Sequence, residues 1–157
     1  MKKLKIAGVV LGAVVFLVIA GIVAVWAPDR SAENLAARWA TPPSQFVLVD
    51  GMQVHLRDEG PRDDPNPIVL LHGTSSSLHT WDGWAHVLQA KHRVIRVDLP
   101  GFGLTGPTQD GRYQMPVYSH FVASLLDTLQ VQRAVLAGNS LGGYVAWKTA
   151  VDYPDRV

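Results

Sequence analysis

The chain has 157 residues, room for about one domain. Its net charge is +1 and it has no basic block beyond Lys2, Lys3 and Lys5, so nothing points to nucleic acid. There is no cysteine, which excludes disulfides, thiol catalysis and cysteine metal sites.

The hydrophobic excess is concentrated at Ile6–Trp26, 21 residues without a charge. As a helix this stretch is about 31 Å long, enough for a hydrocarbon core of about 30 Å. A cleavable signal peptide has a shorter core of about 7–15 apolar residues and a small-x-small cleavage site. Val25-Trp26-Ala27-Pro28 is a poor site. Residues 1–26 therefore read as an uncleaved signal anchor with Trp26 at the interface, secretion after cleavage being the alternative. The charges after Trp26 (Asp29, Arg30, Glu33, Arg38) cancel, so the lysine flank predicts a cytoplasmic N-terminus and a single-pass chain whose remainder faces outward. Residues 27–44 read as a stalk: a short helix started by Ser31, then the stiff Thr41-Pro42-Pro43-Ser44. The alternative is a helix packed on the domain.

Residues 45–157 read as the globular part. Phe46–Asp50 and Met52–Asp58 alternate about Asp50-Gly51, a strong hairpin signal. Ile68–Leu71 is a fully apolar run, as expected of a strand buried on both faces, and His72-Gly73-Thr74 follows it at once. Thr80–Ala90 reads as a helix capped by Thr80, with Trp81, Trp84, Val87 and Leu88 on one face. The two tryptophans read as packing residues of the core or of a covering cap. Arg93–Asp98 is the next strand and Leu99–Gly103 the loop at its end, with Asp98 placed to close that loop by bonding its own backbone. Met115–Leu129 carries Phe121, Val122, Leu125, Leu126 and Leu129 at helical spacing. A hairpin followed by alternating strands and helices implies an α/β domain with a mostly parallel sheet, whose ligands gather at the carboxyl ends of the strands.

The last strand, Ala134–Ala137, reads as buried and leads into Gly138-Asn139-Ser140-Leu141-Gly142-Gly143, after which a helix runs to Tyr153. Gly-x-Ser-x-Gly between a strand and a helix is the pattern of a serine on a sharp, strained turn. Glycines two before and two after are needed because a Cβ at either would clash. The helix start aims free N–H groups at developing negative charge, which makes the Leu141 amide a ready oxyanion donor.

With Leu70-Leu71-His72-Gly73, Asp98-Leu99-Pro100-Gly101-Phe102-Gly103 and the serine turn in this order, the sequence resembles the α/β-hydrolase fold superfamily from about Phe46 to Val157. The resemblance implies an α/β-hydrolase sheet with an opening antiparallel hairpin, incomplete here, through about strand five or six. It implies Ser140 as nucleophile, backbone N–H groups of Leu141 and Thr74 as the oxyanion hole, and His72 as a loop-shaping residue rather than a base. Serine rather than aspartate at 140 argues against epoxide hydrolases and haloalkane dehalogenases. The Gly-Asn-Ser-x-Gly-Gly form is similar to carbon–carbon hydrolases of ring-cleavage products and to many esterases.

The family order is serine, then acid, then histidine. The 17 residues after Ser140 hold Asp152 and Asp155 but no histidine. The chain is thus expected to be the N-terminal portion of a longer serine hydrolase, inactive or nearly so by itself, that acts through an acyl-enzyme on an ester-like or related carbonyl substrate, small or lipid-like. A membrane-tethered binding module without chemistry and an acyltransferase are the rival readings. His55, His79, His86, His92 and His120 lack metal-ligand spacing and read as solvated or packed. No metal or other cofactor is expected.

Overall fold

The computed structural model describes residues 2–28 and 30–157. Met1, in the expected anchor, and Asp29, in the expected stalk, lie outside the described residues. The chain divides into two compact units between Ser31 and Ala32. The first contains helix α1, Lys2–Ala24, in which Ile6–Ala24 has a mean hydropathy of 3.0, long and apolar enough to cross a membrane.

The second unit begins with α2, Ala32–Trp39, so the helix expected within residues 27–44 belongs to the same unit as the sheet. Strands β1 (Gln45–Val49) and β2 (Met52–Glu59) form the expected hairpin, with Val49 opposite Met52. Asp50 and Gly51 both take positive φ, 47° and 78°, as a two-residue hairpin turn with right-handed strand twist requires. Strands β3 (Ile68–Leu71), β4 (Val94–Val97) and β5 (Val135–Gly138) complete a sheet of order β1-β2-β4-β3-β5. β2 is antiparallel to both neighbours and the β4–β3–β5 pairings are parallel, so four of the five strands run one way.

The apolar run of β3 splits by its period of two. Val69 and Leu71 join Ile95, Val97 and Leu56 on one face, under Phe121, Val122, Leu125 and Leu126 of α4 (Met115–Thr128) and Val145 of α5 (Leu141–Asp152). Leu70 and Val94 point to the other face, under Trp81 and Ala85. Both faces of the central strands are covered, which is why they show no alternation in sequence.

The expected helix 80–90 is shorter and starts differently. A 3₁₀ turn, Leu78–Trp81, leads directly into α3, Asp82–Leu88; Thr80 lies inside the turn and Trp81 at the cap position. Trp81, Ala85 and Leu88 face inward at i, i+4 and i+7, leaving Trp84 and Val87 exposed. Strand β5, expected to be buried, is half open with Val135 52% exposed, because among the described residues it pairs only with β3.

The two buried arginines of β4 and its approach are neutralised by the neighbouring β2. Arg93 places Nε and Nη2 at 3.0 and 2.8 Å from the two Asp58 oxygens, a bidentate pair. Arg96 reaches Glu59 with Nε at 3.1 Å and also pairs with Asp82.

Candidate active site

Four-residue β5 ends at Gly138, α5 begins at Leu141, and Ser140 turns the chain between them with φ 49° and ψ −114°. That conformation costs a residue with a Cβ roughly 1–3 kcal/mol and persists only where its surroundings enforce it. The Asn139 N–H donates to the Leu71 carbonyl at 3.1 Å, which pins the turn to the end of β3. The Gly142 N–H closes on the Asn139 carbonyl at 2.9 Å, and the Tyr144 N–H starts the helix on the Ser140 carbonyl at 3.1 Å.

The glycines answer two different neighbours. A Cβ on Gly138 would run into the backbone of Gly142, as the motif demands. A Cβ on Gly142 would instead meet the Leu71 carbonyl and stand 2.7 Å from the His72 oxygen, so that glycine is required by the approach of α5 to β3. Ser140 itself is exposed.

The loop after β3 runs beside this turn. A Cβ on Gly73 would stand 2.9 Å from Asn139 Oδ1 and 3.4 Å from the Ser140 Cβ. Thr74 follows, exposed, and Ser75 takes a positive φ of 57°. Among the described residues, neither the Thr74 nor the Leu141 N–H donates to a protein acceptor.

His72 is fully buried with both ring nitrogens committed: Nδ1 lies 2.8 Å from the Gly73 carbonyl, and Nε2 accepts the Leu99 N–H at 3.0 Å. Only a neutral ring protonated on Nδ1 satisfies both contacts. Burial accordingly holds its pKa below the usual histidine value, against the opposing pull of the Gly73 carbonyl and Asp98. His72 shapes the loop and has no free nitrogen for Ser140.

Asp98 closes its own loop as expected, accepting the Leu104 N–H at 2.9 Å, and it also does what the sequence did not disclose. Its other oxygen accepts the Leu78 N–H at 2.7 Å, and His55 Nδ1 lies 2.8 Å from Oδ2. Burial pushes the Asp98 carboxyl up, but the hydrogen bonds from His55, Leu104 and Leu78 outweigh it and leave it below the ordinary carboxylate range. His55, expected to be a solvated or packed histidine, is fully buried and paired. Nothing local announces this, because His55 and Asp98 are 43 residues apart and meet through the antiparallel β2–β4 pairing.

Asp152 sits at the far end of α5, roughly 18 Å along the helix from Ser140 at 1.5 Å per residue, held by Lys148 and Ser119. It does not reach the serine. A cleft of about 190 Å³ opens between Leu35, Trp39, His55, Ser77, His79, Asp98, Gly103 and Leu104, and Ser140 does not line it. Among the described residues no three His, Asp or Glu side chains are grouped to hold a metal ion.

With this geometry in view, residues 66–157 match the family model described as the α/β hydrolase fold. The chain belongs to the α/β-hydrolase fold family. It is 34% identical over 116 residues to the 2-hydroxy-6-oxo-2,4-heptadienoate hydrolase of Pseudomonas putida, covering 72% of this chain and 41% of that protein. To the haloalkane dehalogenase of Psychrobacter cryohalolentis it is 36% identical over 136 residues, 82% of this chain and 44% of the relative. The crystal structure of a bacterial membrane phospholipase A superposes with a TM-score of 0.70 at 28% identity, covering 100% of this chain and 50% of that one. The chain thus spans about two fifths of the length of these curated relatives.

Proposed function

We propose that the chain is the N-terminal part of a membrane-anchored serine hydrolase in which Ser140 Oγ attacks an ester-like carbonyl. The single observation that carries this reading is the backbone of Ser140, a non-glycine residue held at φ 49° and ψ −114° at the carboxyl edge of a parallel sheet with the Gly73 loop beside it. In the attack the Oγ–C bond forms, the hydroxyl proton passes to a base, and the carbonyl oxygen becomes an anion. The Thr74 and Leu141 N–H groups receive that anion. Collapse expels the alcohol, which takes up the proton, and leaves an acyl-enzyme for water to cleave.

The base and its orienting acid come, in this reading, from a part of the protein that residues 1–157 do not include. Both nitrogens of His72 are occupied and Asp152 is far away. A serine in place of an aspartate at position 140 favours acyl chemistry over dehalogenation or epoxide opening. The likeness to a membrane phospholipase along the whole chain, the apolar α1 included, supports a lipid-like ester as substrate and a single-pass anchor. The Lys2, Lys3 and Lys5 flank is what favours a cytoplasmic N-terminus with the hydrolase domain outside. No nucleic acid, metal or cofactor takes part.

The test is hydrolysis of a p-nitrophenyl ester by the 157-residue chain and by the chain continued through its downstream reading frame, hereafter the extended protein, each beside its Ser140→Ala variant. The proposal expects turnover from the extended protein alone, abolished by Ser140→Ala. A downstream frame without an Asp or Glu followed by a late His decides for a binding module, and product analysis separates hydrolysis from acyl transfer.

A further inference from the structure

One carboxylate ties together two loops at the carboxyl edge of the sheet. Asp98 holds the Leu104 N–H on one oxygen and the Leu78 N–H on the other. Leu78 ends the loop that starts at His72 and carries Gly73 and Thr74. The carboxylate is braced in turn by His55, whose second ring nitrogen, Nε2, lies 2.9 Å from Ser44 Oγ. Arg57 Nε donates to the same hydroxyl oxygen at 3.0 Å. Arg57 can only donate and the Asp98 carboxylate can only accept, so the Ser44 hydroxyl and the His55 ring are held between a fixed donor and a fixed acceptor.

A second link runs parallel to the first. His79, next to Leu78, places Nε2 at 3.0 Å from the Trp39 carbonyl at the end of α2, and the two rings lie 5.2 Å apart. Ser44, His55 and Asp98 stand in the order of a nucleophile, a base and an acid, but the His55 ring is fully buried and Arg57 already occupies the Ser44 oxygen. The array is built to hold position: the cleft that His55 and Asp98 line is not lined by Ser44, whose hydroxyl is committed to Arg57 and His55.

We propose that Ser44 and His55 are positioning residues: through Asp98 and Leu78, the segment from α2 to Ser44 sets where the loop carrying the Thr74 amide stands relative to Ser140. This rests on the reading of Thr74 as an oxyanion donor. Such a donor works only within about 2.7–3.1 Å of the anion, and a displacement of about 1 Å costs on the order of 100-fold in rate. The Thr74 loop is exposed at its tip and takes its hold from Leu78 at one end and His72 at the other. The segment that supplies Ser44 and Trp39 follows α1 in the chain, so whatever displaces it is felt at the loop.

The experiment compares wild type, Ser44→Ala and Ser44→Thr in the extended protein, reading ester turnover and hydrogen exchange of the Leu78 amide. Ser44→Ala is expected to lower kcat about tenfold at unchanged KM and to speed Leu78 exchange, and Ser44→Thr to restore both by returning the hydroxyl. Unchanged Leu78 exchange overturns the proposal, as does a loss confined to KM or one that Ser44→Thr does not restore. Ser140→Ala is the separate control: turnover that survives it defeats the nucleophile reading alone, and the Leu78 exchange still decides the role of Ser44.

Discussion

His72 Nε2 accepts the Leu99 N–H at 3.0 Å, so a single imidazole joins the loop after β3 to the loop after β4. Because burial depresses its pKa, the neutral ring belongs to the folded state and the unfolded chain binds the proton more readily below the ordinary value of 6.5. The stability this residue contributes is complete above pH 6.5 and is lost as pH falls from there toward the lowered folded value. Thermal unfolding followed between pH 7.5 and pH 5 should show a declining Tm, and His72→Gln should flatten that part of the curve while lowering stability throughout, since at least one buried backbone group loses its partner at about 1–3 kcal/mol.

Asp98, an acid where His72 is a base, is itself shifted in the same direction, downward. Its folded value lies below the ordinary 3.8, so its contribution is present above that pH and disappears only as pH falls through the lower folded value. Asp98→Asn should therefore cost stability at pH 7, with the difference from wild type narrowing in acid. Denaturant unfolding of the two proteins at pH 7 and pH 3 measures this.

Arg93 and Asp58 form a buried bidentate pair, with side chains 11% and 2% exposed. Asp58→Ala strands a buried guanidinium and should destabilise the domain by about 3–5 kcal/mol, whereas replacing both residues by apolar ones of similar volume should cost far less. Chemical denaturation of the single and double variants distinguishes a broken pair from a lost pair.

Glycine at 142 is demanded by β3, so Gly142→Ala must push α5 away from the Leu71 carbonyl or strain the serine turn. A loss of about 1–3 kcal/mol, the usual range for overpacking, is expected together with loss of ester turnover in the extended protein. Gly83 in α3 is the contrasting control. A Cβ there meets nothing within 4 Å, and Gly83→Ala should raise stability by up to about 1 kcal/mol.

The proposed part of Thr74 is played by its backbone. Thr74→Ala should leave turnover of the extended protein within about twofold of wild type, while Thr74→Pro, which removes the N–H, should lower kcat by about 10²–10³. Steady-state kinetics on the two variants checks it.

Much of this arrangement is written locally. The Asp50-Gly51 turn, the unbroken apolar run of Ile68–Leu71 and the glycines about Ser140 each answer a backbone or burial demand that a few neighbouring residues express. One face is corrected by the structure, and one pairing goes unannounced in the sequence. Trp84 and Val87 fit a helical stripe with Trp81, but the inward face is Trp81, Ala85 and Leu88, and ordinary helical spacing carries Trp84 and Val87 to the side of it. His55 sits at a polar position of an alternating strand, yet both faces of β2 are covered, and its partner arrives from a strand that is its neighbour in space and not in sequence. Ser44 is hidden for the same reason: its only local mark is a Pro-Pro-Ser end to a spacer.

The reaction of Ser140 with an alkyl fluorophosphonate tests the central claim most directly. After exposure of the extended protein and proteolytic mapping, the adduct should sit on Ser140 and vanish in Ser140→Ala. No adduct, or one carried by another serine while Ser140 stays unmodified, would contradict it.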